Sequence, residues 1–161
     1  MNKLFPLKKL KKIVSQHKKA GKTIVLANGC FDLIHVGHIR YLKGAKNRGD
    51  LLVVALNSDS SVKKLKGSGR PILNQNQRAE ILSSFDFVDY LCLFNEKDVS
   101  KILIALKPDI QAKGSDYTEE TVPEKDIVHS YGGKVAIVGG PKVRSTSEII
   151  LEINKKQNAH T

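Results

Sequence analysis

Two histidines three residues apart, His35 and His38, flank Gly37 where an apolar run hands over to a helical pattern. A helix start at that point leaves backbone N–H groups unpaired and carries a partial positive charge, so it can bind an anion. Gly37 lets a phosphate approach the backbone where a β-carbon would collide with it. Two imidazole N–H donors aimed at the same place can hold phosphate oxygens while negative charge moves during a transfer. The plainer alternative is a pair of satisfied histidines at a helix start. Zinc fits badly, because no third ligand has suitable spacing and the glutamate of a His-Glu-x-x-His site is missing. No metal site is therefore expected within the protein itself. A dinucleotide fold would place G-x-G-x-x-G after the first strand, and none stands there. Gly21-Lys22-Thr23 has the form of a P-loop ending, but Gln16 occupies the first glycine position and the segment precedes its strand.

Several elements must position these residues. Residues 23–27 read as a buried strand, followed by a loop and a helix from about 38 to 47. Further strands are expected at 51–57, 90–94, 109–113 and 134–138. Helices are expected at 75–85, 99–106, 119–131 and 145–156, the last begun by a serine cap. The polar stretch 58–74 reads as a loop with at most a short helix. Continuous apolar strands separated by helices imply a parallel sheet covered on both faces. The expected fold class is α/β: a single-domain, doubly wound, Rossmann-like parallel sheet of five strands. Ligands in such sheets bind beyond the carboxyl ends of the strands, which singles out the loops that follow them.

Composition narrows the choices. At 161 residues and 40% hydrophobic the chain suits one domain with a real core, and no apolar run is long enough for a membrane span. The net charge is +11, yet residues 1–22 hold eight lysines and no acid, so most of the excess belongs to one segment. That segment, a basic helix ahead of a domain at 23–157 and a tail at 158–161, could touch nucleic acid or a membrane surface. The alternative is a solvated face whose Leu4, Leu7, Leu10 and Val14 pack on the body. It is favoured because no aromatic residues interleave to stack bases. Neither nucleic acid nor membrane is expected as a partner. The amino terminus lacks the apolar core of a secretory signal, and Cys30 and Cys92 have no metal-ligand spacing; both points suit a reducing cytoplasm.

His35-x-Gly37-His38, preceded by Gly29-Cys30-Phe31-Asp32, resembles the signature of the cytidylyltransferase-like nucleotidyltransferases. The similarity continues through Asn57-Ser58-Asp59, Lys64-Leu65-Lys66-Gly67, Arg70-Pro71, Gln77-Arg78, Lys113-Gly114-Ser115-Asp116-Tyr117 and Ser145-Thr146. In combination the motifs are most similar to the adenylyltransferases of ADP-heptose synthesis. One departure is the run Arg144-Ser145-Thr146-Ser147, where Ser-Thr-Thr is commoner, and it leaves the preferred base open.

The resemblance implies an in-line displacement at the α-phosphorus of ATP by a sugar 1-phosphate, with Mg2+ carried on the triphosphate and a homodimer as the assembly. It places His35, His38, Lys66 and Arg78 in catalysis. Asn28, Gly29, Phe31, Lys64, Lys113, Asp116, Tyr117, Ser145 and Thr146 are implied to bind nucleotide, and Asp59 the acceptor's hydroxyls. Lys64 and Lys66 are expected in a flexible Gly-bordered loop closing over the phosphates; a solvated basic turn is the alternative. Arg78 alone would read as a surface arginine. Asp59, and the group Lys113, Asp116 and Tyr117, equally suit turns. Ser145 would serve as an ordinary helix cap.

Overall fold

The structure, a computed structural model, describes residues 3–159. Along the chain lie α1 (Leu7–Lys19), β1 (Ile24–Gly29), α2 (Val36–Lys46), β2 (Leu51–Asn57), α3 (Asp59–Lys66) and α4 (Gln75–Ser83). They are followed by β3 (Tyr90–Phe94), α5 (Ser100–Leu106), β4 (Ile110–Gly114), α6 (Lys125–Ser130), β5 (Lys134–Val138) and α7 (Thr146–Asn158).

Five strands form one parallel sheet in the order β3-β2-β1-β4-β5. Alternation along each strand divides the core. Ile24, Leu26, Val53, Ala55, Cys92 and Phe94 face one layer with Leu10 and Val14 of α1 and Leu103 of α5. Val25, Ala27, Leu52, Val54, Leu56 and Leu91 face the other, with Leu42 of α2 and Leu82 of α4. The doubly wound α/β sheet expected from the sequence is therefore present. The lysine-rich start packs on the body: Leu10 and Val14 are fully buried, and Leu4 forms a parallel bridge to Leu91. Of the tail read at 158–161, the last two residues lie outside those described.

Three details bear on function. β1 runs on to Gly29, because Asn28 and Gly29 continue the pairing with Ala55 and Leu56. The expected helix at 38 begins at Val36, capped by His35. Residues 59–66, within the stretch read as a loop with at most a short helix, form that helix because Ser58 caps it, its hydroxyl accepting from the Ser61 N–H at 3.3 Å. Lys64 and Lys66 thus stand on the last turn of α3, and the turn proper starts at Gly67, which has φ 92°.

Chain order runs outward from β1 to β3 on one side and from β4 to β5 on the other, so the topological switch lies between β1 and β4. Their pairing is brief: Val25 with Ile110 and Leu26 with Gln111. Beyond that point the strands diverge. The hydroxyl of Tyr41 fills the gap, donating to the Ala112 carbonyl at 2.8 Å and accepting from the Asn28 N–H at 3.3 Å.

Candidate functional site

Above this gap lies a cavity of about 610 Å³, walled by the loops after β1, β4 and β5 and by the end of α3. The loop after β1 is tightly wound. Phe31 and Leu33 have φ 47° and 49°, the left-handed region that bulky side chains rarely enter. Compensation comes from Phe31, buried against Tyr41 with ring centroids 6.3 Å apart, and from Asp32. The buried Asp32 carboxylate accepts from the Ile72 N–H at 2.8 Å, the Leu73 N–H at 3.0 Å and Arg70 Nε at 2.9 Å. Burial pushes this carboxyl up, but the two backbone donors and the guanidinium outweigh it and hold it below the ordinary aspartate value. Asp32 thereby fastens the first loop to the segment after α3.

The two histidines are fixed by the helix they begin. His35 Nδ1 accepts from the Gly37 N–H at 3.1 Å, and His38 Nδ1 accepts from the His35 N–H at 3.4 Å. An imidazole that accepts at Nδ1 carries its proton on Nε2 when neutral. Both rings are driven toward that neutral form. Burial, helped by the neighbouring His35, lowers the His38 pKa to about 4, and burial also lowers that of His35. The rings lie 3.9 Å apart, and Phe31 meets His38 edge-on at 5.4 Å. Each therefore offers an Nε2–H donor without bringing a full charge.

Most of the residues singled out from the sequence converge on this cavity. Asn28, Gly29, Phe31, His35 and His38 form one wall, Lys66 another, and Lys113, Asp116, Tyr117, Ser145 and Thr146 the remainder. Asn28 lines the cavity, and its buried Oδ1 has no hydrogen-bond partner among the described residues. Ser145 does cap α7, accepting from the Glu148 N–H at 3.2 Å. Thr146 Oγ1 donates to the Asp32 carbonyl at 2.7 Å, tying the start of α7 to the first loop.

Three residues lie elsewhere. Arg78, which the resemblance places in catalysis and which alone would read as a surface arginine, is fully buried and does not line the cavity. It donates from Nε to the Leu73 carbonyl, from one terminal nitrogen to the Cys30 and Asn57 carbonyls, and from the other to Asp59 Oδ1. Asp59 is occupied by that pair at 2.7 Å and does not line the cavity. Lys64 is exposed on α3 and does not line the cavity.

Sequence reasoning missed Asp32 and Tyr41, which shape the cavity. Asp32 was visible as an acid inside an otherwise apolar loop. Tyr41 carries no local signal, since its role depends on two strands far apart in sequence. Burial pushes the Cys30 thiol up, which agrees with a packing role for it. Among the described residues no group of three His, Cys, Asp or Glu side chains is placed to hold a metal ion. No helix among them is long and apolar enough to cross a membrane.

Residues 26–157 match the family described as cytidylyltransferase-like. The bifunctional protein HldE of Syntrophotalea carbinolica is 46% identical over 144 residues, covering 89% of this chain and 29% of that protein. HldE of Geobacter metallireducens is 49% identical over 141 residues, 88% of this chain and 29% of that protein. The chain thus spans about 29% of the length of these curated relatives. Among solved structures, the lipopolysaccharide core biosynthesis protein from Thermoplasma volcanium GSS1 has 36% identity and a TM-score of 0.59, over 73% of this chain and 94% of that one. Pantoate-beta-alanine ligase from Francisella tularensis has a TM-score of 0.66 at 20% identity, over 89% of this chain and 68% of that one, a likeness of fold alone.

Proposed function

Because the chain belongs to the cytidylyltransferase-like family of nucleotidyltransferases, we propose that it transfers AMP from ATP to D-glycero-D-manno-heptose 1-phosphate, giving ADP-heptose and pyrophosphate. The observation that carries this reading is the pair of neutral imidazoles, each held at Nδ1 by a backbone N–H and lining a cavity at the sheet's switch point. The heptose acceptor is drawn from the resemblance of the motifs, and the lipopolysaccharide core biosynthesis protein among the relatives supports it.

The acceptor phosphate, with a second pKa of about 6, is already mostly dianionic near neutral pH. One of its oxygens attacks the α-phosphorus of ATP; the bond to the β-phosphate bridging oxygen breaks, and pyrophosphate leaves with the electron pair. No general base and no covalent enzyme intermediate are needed, only alignment and relief of charge on the phosphates. His35 and His38 donate from Nε2 to triphosphate oxygens. Lys66 adds an ammonium from the α3 wall, and the start of α7 adds the Ser145 hydroxyl and the Thr146 backbone N–H, the Ser145 N–H being held by Glu148. Asn28, Gly29, Phe31, Lys113, Asp116 and Tyr117 hold the nucleotide along the remaining walls. Arg78 and Asp59 act at one remove, holding the loop after β1 against α3 and α4.

Mg2+ is expected on the triphosphate, where it neutralises phosphate charge. The cavity's imidazole and ammonium donors suit phosphate oxygens rather than a cation, so substrate and water are the expected ligands of the ion. A homodimer in the cytoplasm is the expected form.

Pyrophosphate release across a grid of ATP and CTP with heptose 1-phosphate and glycerol 3-phosphate tests the assignment. Turnover is expected with ATP and the heptose. Activity confined to CTP would overturn the substrate reading, and silence in every cell of the grid would overturn the reaction.

A further inference from the structure

At the carboxyl end of β4, Lys113 and Glu124 form an ion pair with Nζ 3.2 Å from Oε2, their side chains only 8% and 7% exposed. Gln111 Nε2 donates to the same oxygen at 3.4 Å. Oε1 of Glu124 takes no hydrogen bond from the described residues. Lys113 Nζ also stands 5.2 Å above the ring of Tyr117, and all three side chains line the cavity.

Packing does not account for this pair. Two charges withdrawn from water stabilise a fold no better than apolar side chains of similar size, and often less well. A polyphosphate does not account for it either, because a carboxylate repels phosphate oxygens. An ammonium donor beside a carboxylate acceptor instead matches adjacent hydroxyls. One hydroxyl accepts from nitrogen, and its neighbour donates to the free carboxylate oxygen. Resting on the nucleotidyl-transfer reading for the identity of the ligands, we propose that Glu124, with Lys113, reads a vicinal hydroxyl pair and makes it a condition of productive binding. The pair belongs either to the ribose of the nucleotide or to the acceptor sugar.

Two arms separate these sources. Calorimetric titration without acceptor compares ATP with its 2′-deoxy and 3′-deoxy forms. Turnover at saturating ATP compares the sugar 1-phosphate with its monodeoxy analogues. In one arm the wild type is expected to disfavour the deoxy compound about ten- to a hundred-fold, and Glu124→Gln to bring the ratio close to one. The double variant Glu124→Leu with Lys113→Met, in which an apolar pair replaces the ionic one, guards against misfolding and is expected to lose the same discrimination. A ratio unchanged by both variants in both arms overturns the assignment while leaving the proposed reaction standing. Discrimination in the ribose arm that collapses in the variants, in a protein that makes no heptose product, upholds the assignment and sinks the proposed acceptor.

Discussion

The His35 imidazole occupies the space that a β-carbon on Gly37 would need: Cε1 lies 2.9 Å and Nδ1 3.0 Å from that position. The glycine expected from sequence to admit a phosphate thus first admits a neighbouring side chain. Gly37→Ala should turn the His35 ring out of place while the helix still forms. A loss of about a hundred-fold in kcat with little change in Tm is expected; equal activity would free the ring from this constraint.

His38→Ala removes one Nε2–H donor and the acceptor for the His35 N–H. The expected cost is about a hundred- to a thousand-fold in kcat with the fold retained. Steady-state kinetics beside circular dichroism decide it, and a near-normal rate removes His38 from the mechanism.

Acidification should act through stability before it acts through these rings. The folded protein keeps His38 neutral down to about 4, whereas an ordinary imidazole titrates near 6.5. Between those values the unfolded chain binds a proton that the folded chain refuses, so stability rises with pH across that window and is complete above it. Asp32, held below the usual aspartate value, adds a loss of the same sign at lower pH. Urea unfolding from pH 7.5 to 4 should show the decline, and His38→Asn should flatten its upper part. The acid limb of turnover should instead fall near the acceptor phosphate's second pKa of about 6, in wild type and variant alike.

Removing the Asp32 carboxylate should loosen the segment after α3. Asp32→Ala leaves the Arg70 guanidinium and the Ile72 and Leu73 N–H groups without their acceptor. A destabilisation of about 3 kcal/mol is expected, with proteolytic nicking near Gly67–Gly69 appearing ahead of global unfolding. Unfolding curves and mapped cleavage sites supply the check.

Arg78→Lys separates an interior bracket from a ligand clamp. A lysine cannot reproduce a fork that reaches four oxygen acceptors on Leu73, Cys30, Asn57 and Asp59. Lowered thermal stability is expected, with the salt dependence of triphosphate affinity unchanged. A variant of normal stability that binds triphosphate weakly would instead put Arg78 on the ligand.

The fold was legible wherever periodicity alone decides. β2, β3 and β5 are continuous apolar runs between polar breaks and end where the sequence indicates. For α3 only a short helix within a loop could be read, without bounds, because its cap, Ser58, sits in a polar stretch with few apolar residues to set a helical period. Within the site, the loop after β1 was readable because its chemistry is local: cap, glycine and both rings fall within four residues. Arg78, Tyr41 and Glu124 were not, because each is defined by partners from other strands and helices. A buried arginine looks the same in sequence as an exposed one.

The phenolic wedge at Tyr41 has a consequence for how the protein meets its substrates. With that hydroxyl bonded to both banks of the furrow, the sheet is already parted before anything arrives. Incoming molecules spend none of their affinity on prising strands asunder. The mouth of the enzyme is thus set from beneath, by a residue whose own oxygen is committed to main chain on either side.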